Sequence, residues 1–180
     1  MASILEIEDL EVDEDEGLMQ FVGFGISKEH FGVNILTVQE IIRSTEVTTV
    51  PNSPSFVEGV INLRGDIIPV IDLRKRLCLF NPEKVDKRNW ILILRIGNHV
   101  AGFIVDKVTK VLKVPEDSID PPPSIVISGL ENQYIQGVCE IDGKLLIVLD
   151  FESVLFNEEY YALKDMEYEE IRLVEEVDVA

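Results

Sequence analysis

Positive charge is what this sequence has little of. Its 180 residues carry 16 Lys and Arg against 34 Asp and Glu, a formal net charge of −18. A phosphate-binding surface needs clustered bases that displace counterions. The only dense basic stretch is Arg74-Lys75-Arg76, so no nucleic-acid partner is expected. Cysteine is nearly absent too. Cys78 and Cys139 form no CxxC or Cys/His pattern, and no metal site is expected. Both lie among apolar residues and read as buried thiols of a reducing compartment. No uninterrupted apolar run approaches the roughly 20 residues that span a bilayer. The acidic N-terminus is unlike a secretory signal or a transit peptide. A cytoplasmic protein without direct membrane insertion is expected.

Catalytic motifs are missing as well. There is no Walker loop, no GxSxG and no HExxH. Gly23-x-Gly25 fails the dinucleotide fingerprint, because Lys28 takes the third glycine position and a strand, not a helix, follows. His30 and His99 sit at hairpin starts, where solvent-exposed turn histidines are expected rather than bases. Asp72 and Asp150 resemble a catalytic pair only superficially. Each immediately precedes a short helical segment, where an aspartate caps. No enzyme activity and no cofactor are expected, and the weight falls on a binding surface.

What is present is apolar residues at 46%, enough for a packed interior, and acid concentrated at the ends. Residues 1–17 hold eight acids and no base; residues 157–180 hold nine acids and two bases. These tails account for −15 of the −18, leaving a nearly neutral body over 18–156. The N-terminal segment reads as mobile. The C-terminal one, with Tyr160, Leu163, Met166, Ile171 and Val174 spaced three to five apart, reads as an acidic amphipathic helix.

The body says one thing twice. Gly59-Val60-Ile61-Asn62-Leu63-Arg64-Gly65 through Val70-Ile71-Asp72 returns 78 residues later as Gly137-Val138-Cys139-Glu140-Ile141-Asp142-Gly143 through Val148-Leu149-Asp150. No gap is needed to align them. Gly32 likewise has a partner, Gly102, 70 residues on. A duplicated strand-turn-strand-helix unit implies two similar β modules. Alternation predicts strands over 19–26, 31–35, 47–50, 89–96, 100–105, 109–114, 134–141 and 144–149, besides those of the first unit. A helix is predicted over 36–43, with Val38, Ile41 and Ile42 on one face and Glu40 exposed on another. Pro69 predicts an edge strand or a bulge. Asp72 and Asp150 cap short helices over 73–79 and 151–156, with Leu73, Leu77 and Phe80 inward. Pro121-Pro122-Pro123 favours an extended link.

The first unit is also a signature. Gly59-Val60-Ile61-Asn62-Leu63-Arg64-Gly65, then Ile68-Pro69-Val70-Ile71-Asp72-Leu73-Arg74, resembles the CheW-like domain family of chemotaxis coupling proteins. Phe31-Gly32-Val33, Val38-Gln39-Glu40-Ile41, Pro51-x-x-Pro54-x-Phe56-Val57-x-Gly59 and Gly102-Phe103-Ile104-Val105-Asp106 extend the likeness over residues 18–156. The resemblance implies a mainly β fold of two SH3-like five-stranded barrel subdomains around a shared core. It implies a non-catalytic adaptor between the cytoplasmic tip of a chemoreceptor and the regulatory domain of the histidine kinase CheA. The sequence leaves the oligomeric state open, and a monomer in solution is the default expectation.

Carried over residue by residue, the resemblance makes Arg64 the first candidate contact, followed by Val38 and Glu40, with Asn62 beside Arg64. The repeat adds an independent reason. Where the first unit has Asn62 and Arg64, the second has Glu140 and Asp142, so one fold presents opposite charges. Each candidate has a plainer role as well. Arg64 pairs with Asp66 at a turn, Val38 packs in the core, and Glu40 solvates a helix face. Two other functions fit the pattern less well: an adaptor of a non-flagellar chemosensory pathway, and a small-ligand-binding or hydrolytic β-barrel with a deep polar pocket.

Overall fold

The computed structural model of the protein describes residues 17–79, 81–82, 89–122 and 134–155. Phe80, Pro123, the acidic N-terminal segment up to residue 16 and the expected C-terminal helix lie outside the described residues. The strands are β1 (Leu18–Ile26), β2 (Glu29–Asn34), β3 (Val38–Arg43), β4 (Val57–Leu63), β5 (Asp66–Asp72), β6 (Trp90–Ile96), β7 (His99–Val105), β8 (Lys107–Pro115), β9 (Ile135–Ile141) and β10 (Lys144–Leu149). Two short helices, α1 (Leu73–Arg76) and α2 (Phe151–Leu155), follow β5 and β10.

The strands form two five-stranded sheets, ordered β8-β1-β2-β10-β9 and β3-β6-β7-β5-β4. These orders are the same order twice. Strands β1, β2 and β3 correspond to β6, β7 and β8, and β4-β5 corresponds to β9-β10. Each sheet is antiparallel except at one place. Gly32 of β2 lies parallel to Val148 of β10, and Gly102 of β7 lies parallel to Val70 of β5. The duplication is therefore exchanged. Hairpin β1-β2 joins the sheet built from β8, β9 and β10, while β6-β7 joins the sheet of β3, β4 and β5. The chain crosses between subdomains twice, which ties them together.

Packing follows from this arrangement. The largest apolar cluster lies between the sheets and takes residues from both, among them Phe24, Phe31, Leu92, Phe103, Ile147 and Phe151. A second cluster fills the second subdomain with Ile42, Ile61, Ile68, Val70, Ile91, Ile93 and Ile104. A third fills the first subdomain with Phe21, Val114, Cys139, Leu146 and Val148. Strand β6 shows the logic. Ile91 and Ile93 point into its own subdomain, and Leu92, Leu94 and Ile96 point into the shared core. Both faces are covered as far as Leu94, so residues 90–94 read as an unbroken apolar run before the exposed Arg95.

The repeated glycines have a steric cause. Thr48 exchanges two 2.9 Å backbone hydrogen bonds with Val60, and Asp120 does the same with Val138. These bridges curl each sheet, although neither closes a complete barrel. A Cβ on Gly59, whose φ is +145°, would run into the carbonyl oxygen of Thr48. A Cβ on Gly137 would sit 2.9 Å from that of Asp120.

Several expectations are corrected. Residues 38–43 form a strand, not a helix. A bulge at Gln39 shifts the register between Val38 and Glu40 opposite β6. Val38 and Ile41 therefore share the face toward the central core, while Ile42 faces the second cluster. A bulge and two buried faces imitate the three-and-four spacing of a helix. The strand expected at 47–50 shrinks to the Thr48 bridge. Pro69 is not on an edge strand. Strand β5 is flanked on both sides, but the ladder with β7 begins only at Val70, so no ladder bond needs the missing amide. Cys78 is exposed, with φ +58°; Cys139 is buried as expected. His30 and His99 are half-buried within strands β2 and β7 rather than turn residues.

Candidate functional site: two equivalent hairpin ends

The β4-β5 hairpin turns at Arg64-Gly65, with φ +54° and +91°. A residue other than glycine is strained there by roughly 1 kcal/mol. Asn62 relieves the turn locally, its Oδ1 accepting the Gly65 amide at 2.9 Å. The Arg64 guanidinium reaches across the open end of the second subdomain and donates to Glu40 Oε1 at 3.0 Å. The Arg64 side chain is 68% exposed and that of Glu40 only 9%. Glu40 is thus buried rather than solvated, a correction that follows from the bulge turning it inward. The carboxylate anchors the end of a cation that otherwise faces solvent. An ion pair this exposed contributes at most about 1 kcal/mol to stability. Its effect is to hold Arg64 in one orientation.

The structure brings Arg64, Asn62 and Glu40 together. Asp66 is not the partner of Arg64. Val38 does not reach this surface; it is 6% exposed, inside the central core. Sequence reasoning missed Ile67, paired with Asn62 across the hairpin and 65% exposed. It also missed Leu36, 83% exposed in the short 3-10 turn before β3. The signal for Ile67 was available: it is an apolar residue at an outward position of an alternating strand.

The first subdomain has the same end with different residues. The β9-β10 hairpin turns at Asp142-Gly143, with φ +51° and +75°. Asp142 occupies the position of Arg64. Lys110 occupies that of Glu40, because β8 carries the same bulge opposite β1 between Val22 and Phe24. The charges are reversed, and the ends differ in closure. Among the described residues, neither Lys110 nor Asp142 takes part in an ion pair. They instead line a groove of about 210 Å³ together with Phe24, Phe31, Leu145 and Leu146. Gly23 also lines it, at the position where the second subdomain has the fully buried Ile93.

At the far end of β5 from the hairpin turn, a buried network links the subdomains. Arg74, following the Asp72 cap, donates from Nε to Asp72 Oδ1 at 3.0 Å and from Nη2 to Oδ2 at 2.9 Å. Its Nη1 reaches Asp106 Oδ1 at 3.3 Å. Asp106 Oδ2 in turn accepts the Ser27 amide at 2.6 Å, and its own amide donates to Gly25 O at 3.1 Å. The hydrogen bond to Asp72 holds the Arg74 pKa above its usual value against the opposing effect of burial. Arg76 adds a second link, its guanidinium over Phe56 at 4.6 Å and Tyr134 at 5.0 Å. Burial raises the Cys139 thiol pKa, helped by the charge of Asp120. Neither Arg74 nor Cys139 lines the groove. Among the described residues no group of His, Cys, Asp and Glu could hold a metal ion, and no helix is long and apolar enough to cross a membrane.

The model of the CheW-like domain matches residues 20–175. This chain belongs to the CheW-like domain family. It is 37% identical over 144 residues to the probable chemotaxis protein CheW of Rhizobium etli, covering 80% of this chain and 91% of that one. It is 36% identical over 140 residues to the chemotaxis protein CheW of Klebsiella aerogenes, covering 78% and 83%. The crystal structure of the scaffolding protein CheW of Thermoanaerobacter tengcongensis superposes with a TM-score of 0.72 at 34% identity, covering 78% of this chain and 94% of that one. Two sheets of SH3-like subdomains around a shared core are thus the CheW fold, and the family to which the chain belongs is one of chemotaxis scaffolds.

Proposed function

We propose that this protein is a chemotaxis coupling adaptor. It links the cytoplasmic tip of a chemoreceptor to the regulatory domain of a histidine kinase and catalyses no reaction. It works in the cytoplasm, where both partners present these parts. The observation that carries the reading is the reversal of charge between two equivalent ends, Glu40 with Arg64 and Lys110 with Asp142. One fold used twice, with opposite polarity, suits an adaptor that must distinguish two faces.

At the second-subdomain end, Arg64 is the contact residue and Asn62 shapes the turn beside it. Glu40 orients Arg64 from within the subdomain. Val38 acts from the core beneath, by seating β3. Ile67 supplies apolar area next to a charge, the composition of an interface centre with a polar rim. Single contacts of this size are weak, and an array compensates through multivalency.

Calorimetric titration of the protein with the cognate kinase regulatory domain and with a receptor-tip fragment tests the reading. Saturable binding to each, and to both together, is expected. Binding to neither, with both ligands shown to be folded, overturns it.

A further inference from the structure

The chain passes between the sheets at two equivalent places, and the two are fastened differently. The first crossing, residues 35–37, joins β2 to β3. The second is the single residue Asp106, between β7 and β8. The 70-residue period that relates Gly32 to Gly102 relates Leu36 to Asp106. Leu36 is 83% exposed, and its amide donates to the neighbouring Asn34 Oδ1 at 3.0 Å. Asp106 is gripped from both subdomains. Arg74 Nη1, on the helix after β5, donates to its Oδ1 at 3.3 Å. Ser27, in the β1-β2 turn, donates its amide to Oδ2 at 2.6 Å. The Asp106 amide donates to Gly25 O at 3.1 Å in the same hairpin.

The sequence repeat shows that closing a crossing does not require this clamp. Every side chain of it is replaced in the other half: Asp106 by Leu36, Arg74 by Glu152 and Ser27 by Gly97. Ser27 and Gly97 share a left-handed backbone, with φ +55° and +60°, so the turns themselves are alike. The first crossing forms without a carboxylate to meet its turn. A requirement of the architecture alone would apply to both.

The clamp stands between the two hairpin ends. Arg64 lies at the other end of β5, about 23 Å away at the rise of a strand. Lys110 lies four residues beyond Asp106 on β8, about 13 Å away. The hairpin that Ser27 turns carries Gly23, Phe24, His30 and Phe31 of the groove. The shared core resists separation of the subdomains, but apolar packing has no preferred direction. An ion pair and hydrogen bonds do have one, and they select a single arrangement among those the core allows.

We propose that Asp106 is a positioning residue. Through Arg74 and Ser27 it fixes the angle between the two hairpin ends, so that partners held at both ends stand in one geometry. The part that concerns partners rests on the adaptor reading above, and the angle itself does not.

The test uses the full chain, Asp106→Ala, Asp106→Asn, and Leu36→Ala as the control at the equivalent crossing. Residual dipolar couplings of backbone amides report the orientation of each sheet. In the parent one alignment tensor should fit both sheets. In Asp106→Ala the sheets should need separate tensors. Asp106→Asn, which keeps an acceptor without the charge, should fall between, and Leu36→Ala should match the parent. Calorimetry with the kinase regulatory domain and the receptor-tip fragment adds a readout that a merely structural role would not give. Each fragment alone should bind Asp106→Ala within about twofold of the parent, while the second to bind should be weakened about tenfold when the first is saturating. One tensor for both sheets in Asp106→Ala overturns the proposal. So does an unchanged affinity of the second fragment, or an equal weakening of each fragment alone, which would make Asp106 a general support of the fold. Failure of the parent to bind either fragment contradicts the adaptor reading, and the tensors still decide the angle.

Discussion

The two subdomains share strand order, parallel register, bridging pair and hairpin turn, yet their equivalent ends behave differently. The second subdomain fills its end with Ile93 and closes it with Glu40 and Arg64. The first has Gly23 in place of the isoleucine, and Lys110 and Asp142 stay apart around a groove. The comparison teaches that this fold separates what sets the architecture from what sets the surface. Glycines and alternating aliphatic residues are held in common. A few charged residues at turn and bulge positions are free to change sign.

Changing the shared residues has the largest expected effect. Gly59→Ala combines an unfavourable φ with a clash against the backbone of Thr48, and should cost about 3–4 kcal/mol by chemical denaturation. Gly137→Ala should cost less, about 2–3 kcal/mol, because a Cβ there meets Ile119 Cγ2 at 2.5 Å and the Asp120 carbonyl oxygen at 2.9 Å but without the unfavourable φ of Gly59. Equal losses would show that the two bridges are stereochemically alike and would weaken the distinction between the halves.

The helix caps sharpen the comparison further. Asp72 is 1% exposed and grips Arg74, whereas the Asp150 carboxylate, among the described residues, accepts from the Ser153 amide and hydroxyl. Glu152 stands where Arg74 would be in the first subdomain. Arg74→Met strands a buried carboxylate and should destabilise by about 3 kcal/mol. Glu152→Ala, an exposed change, should stay within about 0.5 kcal/mol. Urea melts of the two variants check both values. A smaller difference separates the thiols. Cys78 should be alkylated rapidly in the native protein and Cys139 only on unfolding, since one is exposed and the other buried with its pKa raised. Mass spectrometry after a short iodoacetamide pulse reads this directly.

Much of this was legible in the sequence. The 78-residue repeat located β4-β5 and β9-β10, and Asp72 and Asp150 marked both helix starts. The hairpins of both halves followed from alternation and from Gly97-Asn98 and Asp142-Gly143. Residues 36–43 misled because a bulge and two buried faces reproduce helical spacing. The exchange of hairpins between sheets was hidden, since a repeat says which segments are alike but not which pair with which. The Glu40–Arg64 contact was hidden for the same reason. Its partners come from separate segments 24 residues apart, and only the curl of the sheet brings them together. The Lys110 equivalence needed the second period of 70 residues, of which Gly32 and Gly102 were the visible trace.

The central claim is that Arg64 is a contact held in position by Glu40, and not merely half of a structural pair. The direct measurement is the affinity of the kinase regulatory domain for the parent, for Arg64→Glu, and for the exchanged pair Glu40→Lys with Arg64→Glu. The exchange keeps an ion pair and reverses its direction. Arg64→Glu should lose about tenfold or more in affinity. The exchanged protein should melt within about 2 °C of the parent and still fail to bind. Recovery of binding in the exchanged protein would contradict the account, because it would reduce Arg64 to a partner for Glu40.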